Sequence, residues 1–380
     1  MIDYFAEKEW DILPLGMMLI EHQSFTTSKE DVDELVEYIT EQLEPLTPSS
    51  ITRMPQDDVG DILLAKWHED APGKPIMILM HLDTVHPRHE IGEDMHFGIS
   101  DDDERLLGPG AVDMKGGILV AITAVKGLVE RGELPERPLW LLFTTDEETG
   151  SKVSTPIIKD LAKQCGLVLV MEFPTDEGAL KTARKGIATY TIETQGVAAH
   201  AGNHPERGVN AVLEMAEQII QINKLQNLRG GISVAVNTIE GGSAGNVIAD
   251  YAKATIDVRT ITRFDLDNVH EELMELRPRI PGAQVEVTLH HMRGPMERDD
   301  QMAATFKQAQ QLAKSIGLKV YEESVGGASD GNTVAALGIP VLDGLGPRGG
   351  GAHTKGEFAY IRSIYERAAH IAVIIRDWEF

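Results

Sequence analysis

Three short, continuously apolar segments constrain the fold of this chain more than any other feature. They span residues 76–80, 139–143 and 167–171. Strands that are buried on both faces of a parallel sheet have this composition. Other segments carry apolar residues at the three- and four-residue spacing of amphipathic helices, and these lie at 31–43, 117–130 and 155–164. The alternation predicts an α/β domain with a mostly parallel sheet.

The pattern changes near Gly186 and returns to the first kind near residue 300. Between these points the sequence predicts strand 187–193, helix 209–225, strands 233–239 and 254–259, helix 264–276 and strand 284–289. This βαββαβ order is typical of a ferredoxin-like unit. A helix at 302–316 and a strand at 339–342 then resume the α/β pattern. We therefore expect a discontinuous domain, 1–183 and 295–380, interrupted by a smaller domain, 184–294.

Charge and composition exclude several classes of partner. Of the 380 residues, 60 are acidic and 35 are basic, which gives a net charge of −25. Such a surface repels nucleic acid and anionic membranes, and no apolar run approaches the roughly 18 residues of a membrane span.

Cys165 is the one cysteine, so an intrachain disulfide is excluded. The N-terminus also lacks the pattern of a signal peptide, and we expect a cytoplasmic protein.

Polar side chains follow the apolar strands at the point where each strand ends. The carboxyl ends of parallel strands meet at one edge of a sheet, where active sites form. A glycine-rich loop delivers a further acid just before the helix at 117–130. The residues that we expect at this edge are His81, Asp83, Asp113, Asp146, Glu147, Glu148 and Glu172.

Several carboxylates with a histidine would repel one another unless they bound cations. Taken singly, Asp113 also fits a helix N-cap and Glu172 a strand end, but their joint occurrence favours a metal site. Imidazole and carboxylate suit zinc, and two ions about 3.5–4 Å apart that share a carboxylate activate a water. In extended backbone Glu147 and Glu148 diverge, so one can bind metal while the other accepts the proton of that water.

The motifs, in this order, resemble the zinc-dependent aminoacylase/carboxypeptidase family of metallopeptidases, which includes carboxypeptidase G, acetylornithine deacetylase, succinyl-diaminopimelate desuccinylase and peptidase T. The resemblance covers nearly the whole chain. One departure is Phe173, which stands between Glu172 and Pro174 where relatives commonly have proline directly. The matching motifs are His81-Leu82-Asp83-Thr84-Val85, Gly110-Ala111-Val112-Asp113-Met114-Lys115-Gly116-Gly117, Thr145-Asp146-Glu147-Glu148-Thr149-Gly150, Glu172-Phe173-Pro174-Thr175 and His353.

The resemblance implies a role for each matching residue of the metal centre. Glu147 would be the general base, and the two ions would be zinc, with cobalt or manganese as alternatives. The first metal would be held by His81 and Glu172, the second by Glu148 and His353, and both by Asp113 as the bridge.

Further residues would support or extend this centre. Asp83 lies two residues after His81, hence on the same face if the strand continues, where it would orient the imidazole. In the inserted domain, which matches the lid or dimerisation domain of the family, His200 resembles a histidine that polarises the scissile carbonyl across a dimer interface. Asn246 and Arg259 resemble contacts to the substrate backbone or carboxylate.

These resemblances lead to a ranked set of functions. Residues 351–358 resemble carboxypeptidase G relatives more than deacetylases, so we expect a homodimeric, carboxypeptidase-like enzyme that cleaves an amide next to a free carboxylate. An N-acyl-amino-acid deacylase is the alternative. A metal- or ligand-binding protein without catalysis is the alternative of another class, and Glu147 argues against it because a metal carrier needs no proton acceptor.

Overall fold

The computed structural model describes residues 1–88 and 95–380, which form two compact units. Unit 1 comprises Met1–Thr182, Arg298–Ser324 and Ser329–Phe380, and unit 2 comprises Ala183–Glu297 and Val325–Ala328.

The helices and strands of the described residues are as follows. The helices are α1 (Ile2–Ala6), α2 (Glu9–Glu21), α3 (Lys29–Leu43), α4 (Lys115–Glu130), α5 (Ser154–Ala162), α6 (Ala211–Asn223), α7 (Arg263–Met274), α8 (Asp300–Ser315), α9 (Asp330–Ala335) and α10 (Ile361–Asp377). The strands are β1 (Ser50–Met54), β2 (Ile62–Trp67), β3 (Ile76–His81), β4 (Gly98–Ile99), β5 (Arg105–Leu107), β6 (Leu139–Thr144), β7 (Leu167–Val170), β8 (Leu180–Arg184), β9 (Gly186–Gln195), β10 (Ala199–His200), β11 (Ser233–Gly241), β12 (Val247–Ile248), β13 (Tyr251–Thr260), β14 (Gln284–Arg293), β15 (Glu322–Val325), β16 (Val341–Asp343), β17 (Gly349–Gly350) and β18 (Phe358–Tyr360).

The largest sheet has eight strands in the order β1-β2-β6-β3-β7-β16-β8-β15. Its centre is parallel, because β3 runs parallel to both β6 and β7, and β7 runs parallel to β16. All residues of β3, β6 and β7 are buried, as the three apolar segments predict. The expected mixed α/β fold with a large, mostly parallel sheet is confirmed.

Helix α4 fixes the position of the loop that carries Asp113, because it begins two residues later. Ile118, Leu119 and Ile122 on this helix are buried in the main core. At Gly16 of α2 an added Cβ would lie 2.8 Å from the Leu119 side chain, so the two helices pack closely. Helices α1, α2 and α10 were not among the elements predicted from the sequence.

A second, four-stranded sheet in unit 1 has the order β17-β18-β5-β4 and was not predicted. Phe358 of β18 pairs with Leu107 of β5, and Ala359 pairs with Gly349 of β17. This small sheet therefore joins the segment that precedes Asp113 to the hairpin that contains His353.

Unit 2 contains a four-stranded antiparallel sheet in the order β11-β13-β9-β14. Its main elements follow one another along the chain as β9, α6, β11, β13, α7 and β14. The inner face of the sheet and the two helices share a separate core, which includes Tyr190, Ile192, Met215 and Leu266. None of the helices in the described part of the chain is long and apolar enough to cross a membrane.

His370 on α10 makes the stability of the fold dependent on pH. Its side chain is fully buried, and its Nε2 donates to the Ala309 carbonyl oxygen at 3.0 Å. Burial, together with the positive charge of Arg367, lowers the pKa of His370 to about 4. Unfolded histidine titrates near pH 6.5, so the unfolded chain takes up the proton first as the pH falls. The stability that the neutral His370 contributes is fully present above about pH 6.5 and decreases as the pH falls from there to about pH 4.

We predict that His370→Gln weakens this pH dependence, because glutamine keeps a donor for the Ala309 carbonyl but does not titrate. The free energy of unfolding should fall between pH 7 and pH 4.5 by about 2–3 kcal/mol less in the variant than in the wild type. Urea unfolding at the two pH values measures this difference. Equal losses in the two proteins would contradict the assignment.

Candidate metal centre

The five predicted metal ligands all lie in unit 1, at the ends of its elements. His81 is the last residue of β3, and Glu172 follows β7. Asp113 lies in the loop before α4, and His353 lies between β17 and β18. Glu148 belongs to a short 3₁₀ turn, Glu147–Thr149, that follows β6.

The carboxylate of Asp113 lies between two imidazoles. Its Oδ1 is 3.2 Å from His81 Nε2, and its Oδ2 is 3.2 Å from His353 Nε2. Glu172 Oε1 is 3.8 Å from His81 Nε2, and Glu148 Oε2 is 3.1 Å from His353 Nε2. The structure therefore brings the five side chains together, with one histidine and one glutamate on each side of Asp113.

The chemistry of this cluster fits a divalent cation. His81, Asp113 and Glu148 each offer one ligand atom, and these atoms all lie within 4.8 Å of one another. The Oε1 atom of Glu148 is buried and has no hydrogen-bond partner among the described residues. A buried carboxylate oxygen without a donor is unfavourable, and a cation would satisfy it.

Asp83 is fully buried and binds the backbone next to the ligands. Its carboxylate accepts hydrogen bonds from the backbone N–H groups of Glu147 at 3.2 Å and Glu148 at 3.1 Å. It also accepts from Thr26 Oγ1 at 2.8 Å. His81 Nδ1 lies 3.0 Å from the backbone oxygen of Asp83 and 3.4 Å from its Oδ1. These contacts suit the role of holding the imidazole with Nε2 towards a metal.

Two details of the backbone differ from the expectation. The strand does not continue to Asp83, because β3 ends at His81. The prediction of extended backbone at Glu147 and Glu148 is also wrong, because Glu147 O accepts from Gly150 N at 2.8 Å and closes a turn. Asp83 stabilises this turn, because its carboxylate accepts from two successive N–H groups, which would point to opposite sides in an extended strand.

Two contacts of the centre were missed by the sequence analysis. Thr26 is separated from Asp83 by 57 residues, and a lone threonine before a helix carries no signal beyond capping. Phe173, the departure from the family pattern, lies under the ammonium group of Lys181, whose Nζ is 3.9 Å from the ring centroid. The ring of Phe173, next to Glu172, is therefore held in a cation–π contact.

The ionisable groups of the cluster shift one another's pKa. Burial alone would lower the pKa of His81, but hydrogen bonds to Asp113 and Asp83 raise it well above its usual value. Hydrogen bonds to Asp113 and Glu148 raise the pKa of His353 to about 10. Burial would raise the pKa of Asp113, but the two imidazoles hold it below its usual value, whereas burial raises that of Glu148. Positive charge on the imidazoles thus stabilises the ionised Asp113, and a divalent ion would supply positive charge in the same place.

Unit 2 contains the three remaining predicted site residues. His200 on β10 is exposed and pairs with Val247 on β12, next to Asn246. The Nδ1 of His200 accepts from the backbone N–H groups of Gly202 and Asn203, both at 3.1 Å. Arg259 lies on the half-exposed face of β13 and forms an ion pair with Asp257 at 3.0 Å.

The fold and this cluster define a metal-binding α/β protein with its ligands at the carboxyl edge of a parallel sheet. The chain belongs to Peptidase family M20/M25/M40, whose sequence profile matches residues 77–377. This confirms the resemblance seen in the motifs. The chain is therefore a metallopeptidase or amidohydrolase of this family.

Individual relatives agree with this assignment. Carboxypeptidase G2 of Pseudomonas sp. (strain RS-16) is 32% identical over 335 residues, which are 84% of this chain and 77% of that protein. Acetylornithine deacetylase of Erwinia tasmaniensis is 30% identical over 243 residues, which are 60% of this chain and 62% of that protein. The crystal structure of the aminopeptidase PepT of Bacillus cereus matches with a TM-score of 0.78 at 20% identity, covering 97% of this chain and 98% of that one.

We predict that Zn²⁺ stabilises chelator-treated protein, and that Asp113→Asn removes this effect, because a neutral amide then replaces the carboxylate that faces both histidines. At a free Zn²⁺ concentration of about 100 times the Kd, the wild type should gain about 3 kcal/mol. Thermal unfolding with and without Zn²⁺ measures the gain. Asp31→Asn, a change at another buried aspartate, should leave it intact, and an unchanged gain in Asp113→Asn would contradict the site.

Proposed function

We propose that this protein is a carboxypeptidase-like metallopeptidase that cleaves an amide bond next to a free carboxylate. The single observation that carries the proposal is the Asp113 carboxylate, whose two oxygens face different histidines. A carboxylate in this position suits the sharing of two ions, and Glu147 stands beside one of the proposed ligands as a proton acceptor.

We assign two zinc ions to the cluster, with cobalt or manganese as alternatives. His81 and Glu172 would hold one ion, Glu148 and His353 the other, and Asp113 both. The donor set of imidazole nitrogen and carboxylate oxygen, without thiolate, supports these metals. When bound, such ions lower the pKa of a water and polarise a carbonyl.

Glu147 is the proposed general base. It accepts a proton from the attacking water and delivers it to the leaving amine. Its backbone N–H donates to Asp83, the carboxylate that also contacts His81, so one buried group holds both the base and a ligand in place. This contact supports the role of Asp83 as a positioning residue.

His200 is the proposed donor to the carbonyl oxygen of the substrate. Because its Nδ1 accepts two backbone hydrogen bonds, the proton of the neutral ring resides on Nε2. An Nε2–H group can donate to the oxyanion that develops when water attacks. Asn246 and Arg259 are assigned to the substrate backbone or carboxylate from the family resemblance.

Peptides are favoured over N-acyl amino acids as substrates. The similarity to carboxypeptidase G2 spans 84% of this chain, against 60% for acetylornithine deacetylase. Deacylation of N-acyl amino acids is the second candidate. A non-catalytic metal-binding protein remains the alternative of another class, and the following experiment separates all three.

We predict that the zinc-loaded protein hydrolyses peptides and folate-type glutamyl amides faster than N-acetyl or N-succinyl amino acids. Glu147→Gln should lower kcat by about 10²–10⁴-fold because no group then accepts the proton of the water. Amine release measures the rates, and metal analysis measures the bound ions, whose number should not change.

Glu136→Gln, which alters an exposed glutamate of unit 1, provides the matched control and should be fully active. Faster cleavage of acyl groups would favour the deacylase. Equal activity of Glu147→Gln and the wild type would refute the mechanism. Metal binding without hydrolysis of any of these compounds would favour the non-catalytic alternative.

We further propose that the protein is a homodimer assembled through unit 2. Several large apolar side chains are exposed on this unit: Val212, Leu213 and Ile220 on α6, and Ile239 on the edge strand β11. An exposed apolar surface next to an open sheet edge supports self-association. In such a dimer His200 of one subunit would serve the metal centre of the other.

Mixed dimers test this arrangement. We predict that Glu147→Gln and His200→Ala subunits, each nearly inactive alone, recover about a quarter of the wild-type activity when they are coexpressed. Half of the dimers are then mixed, and each mixed dimer has one complete site. Light scattering verifies the dimer, and a dimer without recovered activity would show that His200 does not act in the partner's site.

We propose a reducing compartment, the cytoplasm, as the location, because the sequence has one cysteine and so forms no intrachain disulfide. Cys165 is buried, and burial raises the pKa of its thiol to about 12. Such a thiol is a poor nucleophile and is shielded from oxidants, so it acts as a small apolar side chain.

A further inference from the structure

Glu357 is a buried acid that the proposed reaction does not use. It directly precedes β18, lies four residues after His353 and is 2% exposed. A buried carboxylate is unfavourable unless donors satisfy it, so its partners indicate its role.

Both carboxylate oxygens of Glu357 bind the loop that carries Asp113. Oε1 accepts from the backbone N–H groups of Val112 and Asp113, both at 2.9 Å. Oε2 accepts from Gly110 N at 3.0 Å and lies 3.2 Å from His86 Nε2. The carboxylate thus binds three backbone N–H groups within four residues, one of which belongs to Asp113 itself.

The backbone of this loop is shaped to surround an anion. Gly108 and Gly110 have φ angles of 134° and 73°, a region that side chains with a Cβ rarely adopt. At Gly110 an added Cβ would also lie 3.0 Å from the side chains of Lys115 and Thr84. Converging N–H groups of this kind form a nest that binds anions, and here the anion is the chain's own carboxylate.

The same glutamate connects the two segments that meet at the metal centre. Its backbone oxygen accepts from Gly108 N at 3.1 Å, and the next residue, Phe358, pairs with Leu107. His353 precedes it in the same hairpin. Glu357 therefore fixes the Asp113 loop against the hairpin of His353, whose Nε2 is 3.2 Å from Asp113 Oδ2.

We propose that Glu357 is a positioning residue that sets the geometry of Asp113 and His353 for metal binding, without touching metal or substrate. This inference rests on the proposed metal-dependent function. Its charge matters because a carboxylate accepts from every N–H group of the nest, whereas the amide of a glutamine has one oxygen and two donor hydrogens that oppose the loop.

The test compares Glu357→Gln with Glu214→Gln. Glu214 is fully buried in unit 2, where its carboxylate accepts from the backbone N–H groups of Arg279 at 3.0 Å and Ile280 at 2.6 Å. The two substitutions remove the same charge from the same type of contact, so both should lower the melting temperature. Only Glu357 adjoins the metal centre.

We predict that Glu357→Gln lowers the affinity of the metal-free protein for Zn²⁺ by about 10–100-fold, as measured by chelator competition. The visible absorption of bound Co²⁺ should also change, because it reports the geometry of the ligands. In the hydrolysis assay at saturating Zn²⁺, kcat should fall while KM stays nearly constant. Glu214→Gln should match the wild type in all three measurements.

Glu357→Asp provides a second variant if the first does not fold, because it keeps the charge but is one methylene shorter. It should show a smaller loss of Zn²⁺ affinity in the same direction. Wild-type Zn²⁺ affinity and Co²⁺ spectrum in the folded variants would overturn the inference while the proposed function stands. Equal losses in Glu214→Gln would also overturn it. Failure of the wild type to bind Zn²⁺ would overturn both.

Discussion

Four acids, Asp83, Asp113, Glu172 and Glu357, are buried in unit 1 close to one another in the fold. Burial of an ionised carboxylate destabilises the folded protein by about several kcal/mol unless hydrogen-bond donors or positive charge compensate for the lost hydration. Asp83 and Glu357 are compensated by backbone N–H groups, whereas Asp113 and Glu172 face imidazoles. The first pair therefore holds the loops in place, and the second pair remains available to the cation that we propose.

This division explains why the loops of the centre are irregular. The backbone N–H groups of Glu147 and Asp113 bind side-chain carboxylates rather than neighbouring strands. These N–H groups are therefore not available to a neighbouring strand. Buried carboxylates that bind the main chain, together with the small sheet of β5 and β18, hold the loops of the centre in place.

The central strands and the position of the metal centre could be predicted from the sequence, because strands that are buried on both faces consist of apolar residues. The segments that form β3, β6 and β7 are apolar throughout, and three of the five proposed ligands, His81, Glu148 and Glu172, lie at or shortly after their ends. The four-stranded sheet that contains β5 and β18 could not be predicted, because these strands have three residues each and show no periodicity. Glu357 was beyond reach because its role depends on N–H groups that lie 244 to 247 residues away along the chain. The turn at Glu147 was missed because an acidic pair after a strand gives no sign of what its amides will bind.

The discontinuity of unit 1 has a consequence for the order of events during synthesis. The proposed ligands extend from His81 to His353, and the hairpin that contains His353 ends with β18. A nascent chain emerges from its N-terminus onwards, and its domains fold as units. Unit 2 is complete before the final part of unit 1 has been made. The complete set of proposed ligands can therefore bind metal only after the segment with His353 and Glu357 has been made, which is later than the whole of unit 2.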